Sequence, residues 1–338
     1  MSNILILGSD ATYIRSRPAF AYSVDGKIWS KQSSYVSGSI HNQITASVIN
    51  TGTGVITMVT NTGEFMTGSS LLSMSASSSI GNNDHWFSAT GIATDNISTQ
   101  VISGLYRDPV TLNEVGKLYK NSGGNYQEIT TFPSANCSVL YNIVHIQNAP
   151  VDPYTIDPPV WIAVGRQDDY TGGIWWSRDL VTWENIPLPA EFSDRSVYDV
   201  VEYGVPVTGV RNVYFSCWGI VLSLNWLSTA TTQTWSTGQE LTTTQSQPDL
   251  RRLVINSSGE FVSVASGGIF HSVDAKTWSR FQSPGYQFHG VAWLPNTGTW
   301  IVGSESLLHT NQAWTSTDGT NWTGYSTGVN ACDIVIVS

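Results

Sequence analysis

The chain has 338 residues, 41% hydrophobic but only 12% charged, with 25 acidic against 15 basic side chains and a formal net charge of −10. That length suffices for a buried core and that apolar fraction excludes a disordered chain, while a surface so poor in charge must be kept polar by Ser, Thr, Asn and Gly. Scattered basic residues leave little for counterion release, so neither nucleic acid nor an anionic bilayer is expected as a partner.

In chain order, the first element is the apolar run Ile4 to Leu7, which stops at Gly8-Ser9-Asp10. It has no basic leader and is too short to span a bilayer, so no signal peptide and no membrane insertion are expected. Next comes Ser23-Val24-Asp25-Gly26-Lys27-Ile28-Trp29, the first copy of a box that recurs at Ser177 to Trp183, Ser272 to Trp278 and Ser316 to Trp322. All four read S-x-D-[G/L/A]-x-x-W. Val55 to Val59 and Gly63 to Gly68 read as strands, but Ser69 to Ser79 carries no box. A weaker copy, Lys120 to Tyr126, keeps the Gly and the aromatic, and Ser223-Leu224-Asn225 followed by Trp235 reads as a copy stretched by an insertion. Ser122 and Asn225 stand where the others have Asp, so the position asks for a small polar turn residue.

The boxes share a preceding grammar. Val160 to Gly165, Gly259 to Val264 and Gly298 to Gly303 are short aromatic and β-branched runs ending in or beginning with Gly, which is strand chemistry. Leu250 to Ile255 and Gly290 to Leu294 precede two of them across tight turns. A unit therefore reads strand A, turn, strand B, loop, strand C, box turn, strand D, and such units recur about every 48 residues, a period typical of propellers. The expected fold is all-β: a single domain, residues 1–338, forming a seven-bladed β-propeller of four-stranded antiparallel blades. The N-terminal run resembles a strand B with no strand A before it, and Asp333 to Val337 supplies the missing strand, so the last strand is expected to close the ring.

In each box the Asp side chain can accept backbone N–H groups of its own turn while the Trp covers the blade. Asp25, Trp29, Asp179, Trp183, Asp274, Trp278, Asp318 and Trp322 are thus expected to be structural. On these residues the chain resembles the Asp-box (BNR) repeat family of sialidase-like propellers, of the kind found in virion proteins of bacterial viruses. The family spacing, S-x-D-x-G-x-x-W, is one residue longer than here. The resemblance implies a propeller with boxes at the blade periphery, away from the ligand face.

Propeller topology puts B–C and D–A loops on one face. The B–C loops carry Tyr13, Arg15 and Arg17; Arg107, Asp108 and Glu114; Arg166, Asp168, Asp169 and Tyr170; and Glu305 and His309. Arg and Asp suit sugar hydroxyls or carboxylates and Tyr offers a ring face, so these residues form the expected ligand site. The favoured function is a non-enzymatic binding or structural module, a virion-associated or surface adhesion protein recognising glycan or a host surface receptor, with other virion proteins as further partners. Two alternatives stand beside it. A protein-docking platform would use the blade edges. A sialidase-like hydrolase is implied by the resemblance, with Arg17, Arg107 and Arg166, or Arg251 and Arg252, in place of the family's arginines and Glu202-Tyr203 as its nucleophile pair. No catalytic acid can be assigned.

Six histidines show no HExxH or paired spacing and no carboxylate run matches a calcium loop, so no metal and no cofactor are expected. Cys137, Cys217 and Cys332 cannot all pair within the chain and lie in apolar contexts, which reads as buried thiols. The Pro-rich stretch from Gln147 to Pro159 reads as a stiff insertion between strands A and B.

Overall fold

A computed structural model describes residues 3–10, 18–33, 43–70, 73–75, 78–80, 87–122, 124–146, 149–150, 156–157, 159–204, 211–226, 234–241, 247–305 and 311–337. Among these residues there is no α-helix, only two short 3-10 turns at Ser134–Asn136 and Ala190–Phe192. The strands form five four-stranded antiparallel sheets, one six-stranded sheet and a two-stranded ribbon, Ala149–Pro150 with Ile156–Asp157. The last lies within the Pro-rich insertion, most of which is outside the described residues.

The six-stranded sheet resolves into the same grammar as the rest. Its strand Phe261–Ser272 pairs through residues 261–264 with Arg252–Ile255, and through 266–271 with Ser279–Leu294, with Gly267 at φ 77° at the changeover. Ser279–Leu294 in turn pairs first with that strand and then, through residues 287–294, with Thr299–Glu305. Counted by these halves, the strand layout fits seven units of four. The expected second unit is present as Ile44–Asn50, Val55–Thr60, Glu64–Gly68 and the stub Ser78–Ser79, although it lacks a box.

The first strand of each unit packs against the first strand of the next. Ile44–Asn50, Phe87–Thr94, Cys137–Ile146, Val197–Gly204, Arg252–Ile255, residues 287–294 and Val329–Val337 follow one another, and the last returns to Ile44–Asn50. This ring of inner strands is unbroken. It is closed as expected: Val329–Val337 pairs antiparallel with Asn3–Asp10, so the closing strand begins four residues before Asp333.

The core lies between neighbouring sheets rather than inside any one of them. Ile162, Val164 and Ile174 of one sheet interlock with Val213, Phe215 and Leu222 of the next, all buried, and Ile4, Ala19 and Ala21 meet Ala292, Ile301 and Ala313. Burial of both faces explains why the central strands read as continuous apolar runs. Cys137 and Cys217 sit in this core with their thiols pushed up to about 12 by burial, and Cys332 is half-buried; all three are free.

The four S-x-D turns share one pattern of backbone contacts to the carboxylate. Asp25 Oδ1 accepts from the N–H of Lys27 at 2.8 Å and Ile28 at 3.0 Å, Ser23 Oγ accepts from Gly26 N–H at 2.9 Å, and Trp29 Nε1 donates to Gly26 O at 3.0 Å. Asp179, Asp274 and Asp318 repeat the carboxylate contacts. The backbone N–H donors hold all four carboxyls below the usual range. The residue after each Asp is left-handed: Gly26, Leu180, Ala275 and Gly319 have φ of 74°, 62°, 58° and 71°.

A side chain there costs about 1–2 kcal/mol unless it is Gly. At position 319 an added Cβ would also overlap the buried ring of His271. Gly319→Ala is therefore expected to lower stability by about 2 kcal/mol or more, whereas Ala275→Gly leaves it unchanged or raises it. Urea unfolding monitored by Trp fluorescence measures both.

Candidate binding site at one end of the ring

The inner strands share an irregularity. Their ladders to the second strand slip by one residue at Thr45, Thr90, Tyr141, Tyr198, His289 and Cys332, each left unpaired between two paired neighbours. In the remaining unit Arg251 occupies the equivalent place, one residue before its strand begins. A bulge re-aims a side chain and bends its strand. Repeated around a ring, it points one half-buried polar or aromatic side chain from each unit toward the shared axis, at the end where the inner strands begin.

Several of these residues enclose a pocket of about 300 Å³ lined by Gln43, Thr45, Thr90, Arg251, His289 and Glu305, with Arg252 and Cys332 beside them. Thr45 Oγ1 donates to Ala89 O at 2.8 Å and Thr90 Oγ1 to Leu140 O at 2.6 Å, so these hydroxyls tie each unit to the next. Arg251 Nη1 lies 2.6 Å from His289 Nδ1, and His289 Nε2 lies 3.5 Å from Glu305 Oε2. Arg251 Nη1 also lies 3.2 Å from His289 Nε2, so the guanidinium stands against both ring nitrogens while Nε2 faces the carboxylate. Burial lowers the His289 pKa, which keeps the ring neutral, and the His289 hydrogen bond lowers that of Glu305.

One residue further along each strand lies a second layer. Asp199 Oδ2 accepts the N–H of Leu253 at 2.9 Å, and its Oδ1 accepts that of Val200 at 2.9 Å and an amide proton of Asn142. Asp333 Oδ2 accepts the N–H of Ser47 at 3.1 Å, and Arg252 Nε stands 3.9 Å from Asp333 Oδ1. Arg252 Nη2 also donates to Thr90 O at 3.4 Å, joining non-adjacent units. Burial raises the pKa of both Asp199 and Asp333, that of Asp333 to about 6. The opposite end of the ring differs: a recess of about 400 Å³ is lined by Val144, Ile146, Val200, Val201, Val254 and Ile255, with His145 and Glu202 at its edge.

Solved structures with the same architecture include YCF48 bound to a D1 peptide, 13% identical over 83% of this chain and 81% of that one, TM-score 0.53. A protein assigned as a 6-phosphogluconolactonase from Bacteroides uniformis is 8% identical over 99% of both chains, TM-score 0.62. The extracellular domain of a hybrid two-component system protein from B. thetaiotaomicron is 11% identical over 92% of this chain and 43% of that one, TM-score 0.51. The chain is a β-propeller. No family model and no curated protein matches it, and these identities carry the fold alone.

Of the loop residues expected to bind, Tyr13, Arg15, Arg17 and His309 lie outside the described residues. Arg107 stands 3.8 Å from Glu114 across its own hairpin. Asp108 Oδ1 accepts the N–H of Val110 and Thr111 at 2.8 and 2.7 Å, and Asp169 Oδ1 that of Thr171 at 3.0 Å, so both carboxylates shape their own loops. Asp168 is exposed, and Tyr170 carries Arg166 over its ring at 5.1 Å. Glu305 is the one described member of that set lining the axial pocket. Arg251 and Arg252 line it too, but Glu202 lies at the far end of the propeller, so the arginines and that carboxylate are not brought together. Among the described residues no cluster could hold a metal ion, and no helix is long and apolar enough to cross a membrane.

Asp333 has a measurable signature. Its folded pKa, about 6, exceeds the unfolded value of 3.8, so its contribution to stability declines as pH rises from 4 through 6. Removing that titration in Asp333→Asn should change the stability difference between pH 5 and pH 7.5 by about 1 kcal/mol, the wild type losing more on going to pH 7.5. Urea denaturation of both proteins at the two pH values tests this, and parallel profiles would refute the burial assigned to the carboxyl.

Proposed function

We propose that the propeller is a non-enzymatic binding module that takes a glycan at the polar end of its axis. The observation carrying this reading is the bulge ring, which aims Arg251, His289, Thr45 and Thr90 into one pocket beside Glu305 and Gln43. A volume near 300 Å³ is at the small end of ligand pockets and matches one saccharide unit. Guanidinium, imidazole, carboxylate, amide and hydroxyl groups around one hollow offer the mixed donors and acceptors that a ring of hydroxyls requires. The B–C loops with Arg107, Arg166 and Tyr170 belong to the same face and would form an outer rim. Display on a virion or cell surface, toward a host receptor, accords with the Asp-box-like turns and the surface sparing in charge.

A second reading, docking of a protein segment, has its own support. The opposite recess is lined mostly by aliphatic residues, with His145 and Glu202 among them, and the neighbour YCF48 is seen with a bound peptide. Charging that recess by Val201→Glu would disrupt docking and leave glycan binding intact.

The test of the first reading is a glycan array followed by calorimetry. Arg251→Ala is expected to weaken binding at least about tenfold, the usual cost of a charge-assisted hydrogen bond, with Arg107→Ala changing it less than about threefold. An array without any saturable signal, or an Arg251→Ala protein that binds as the wild type does, would overturn the proposal.

A further inference from the structure

The bulge ring is not polar all round. Between Thr90 and Arg251, the two intervening units place Tyr141 and Tyr198, whose ring centroids are 4.7 Å apart. Tyr198 Oη donates to Asp249 Oδ1 at 2.8 Å, and Asp249 forms an isolated antiparallel bridge with Trp218. Trp218 sits in the two-residue turn between Arg211–Cys217 and Ile220–Trp226, followed by Gly219 at φ 72°. Its indole N–H donates to Gln247 O at 2.8 Å, its backbone N–H to Ser196 O at 3.1 Å, and its carbonyl accepts from Arg195 Nη1 at 3.1 Å. The residue is nevertheless 42% exposed.

The indole N–H ties this turn to Gln247, but the turn itself does not ask for so large a ring. A two-residue hairpin turn favours Asn, Asp or Gly, and a Trp there leaves a large apolar ring in water. The two backbone hydrogen bonds hold the turn and the indole N–H holds the ring, which lowers the entropy a ligand would otherwise have to quench. The Trp218 ring, the half-buried tyrosine pair linked to it through Asp249, and the Asp249 carboxylate together offer apolar surface with acceptors at its edge. That is the complement of a pyranose, which has a C–H face and a rim of hydroxyls. A nucleobase would stack equally well, but its phosphates would meet a chain of net charge −10.

We infer that Tyr141, Tyr198 and Trp218 form a stacking shelf for one sugar unit of a saccharide chain whose neighbouring unit occupies the Arg251–His289–Glu305 pocket. The inference rests on the glycan reading of that pocket and deepens it: the ligand is an oligosaccharide, held by an aromatic subsite on the units between Thr90 and Arg251.

The experiment uses array-positive oligosaccharides and their terminal monosaccharides, titrated by calorimetry into the wild type, Trp218→Ala, Trp218→Phe and Arg251→Ala, each checked for an unchanged thermal midpoint. Trp218→Ala is expected to weaken the oligosaccharide about tenfold, the loss of one ring-stacking contact, while Trp218→Phe keeps it within about threefold and monosaccharide affinity stays unchanged. If Arg251→Ala weakens binding but Trp218→Ala does not, the shelf is wrong and the pocket stands. If an oligosaccharide binds no tighter than its monosaccharide, the shelf is again wrong. Silence across the array, or capture of peptides alone, removes both readings.

Discussion

Antiparallel pairing of Val329–Val337 with Asn3–Asp10 holds the ring shut, and every contact at the axis depends on it. Without that pair the first unit lacks its inner strand and exposes Asn3–Asp10 as an unpaired edge. The closing strand also brings chemistry to the centre. Asp333 lies on it, accepts the N–H of Ser47 from the following unit and stands against Arg252 from another, so closing the ring places the carboxyl that holds the axial guanidinium.

The bulges follow from the same closure. A ring of inner strands crowds its members at the axis, and each strand can turn a side chain inward there only by giving up one ladder position. The partner strand accommodates the displaced backbone. At Gly165, opposite Leu140, and at Gly8, opposite Ala331, an added Cβ would overlap the carbonyl of Val139 or of Asn330. Buried charge at the axis is costly, and its pairs add little net stability. What Arg252 and Asp199 provide instead is connection: between them they touch backbone or side chains of units otherwise joined only to their immediate neighbours.

Most of the fold was legible because its signals are local. The S-x-D turn needs an acceptor two and three residues before its donors and a left-handed residue in between, and that demand stays within seven residues of chain. In the second unit the sequence from 69 to 79 carries no box, although the strands around it could be read. The site was less legible for the opposite reason. Arg251, His289, Thr45 and Thr90 begin ordinary inner strands, and what makes them a site is a slip of register against another strand, which no spacing within one segment encodes. Charge in loops pointed instead to Asp108 and Asp169, whose carboxylates are taken up by their own turns. One signal did stand in the sequence: Trp218-Gly219 puts the bulkiest residue where a turn wants the smallest, and a conflict between local preference and residue type marks function more often than error.

The electrostatics of the mouth then have a single internal logic. Glu305 lies against His289, whose hydrogen bond lowers its pKa; His289, held neutral by burial, lies between that carboxylate and Arg251. The imidazole thus stands between the guanidinium and the carboxylate, and among the described residues no ion pair joins Arg251 directly to an acid. Arg252, by contrast, is spent on Asp333 and on the Thr90 carbonyl and is a structural tie. The two adjacent arginines both line the pocket, but Arg251, at the bulge-equivalent position, contacts His289, while Arg252, on the regular ladder, contacts Asp333 and the Thr90 carbonyl.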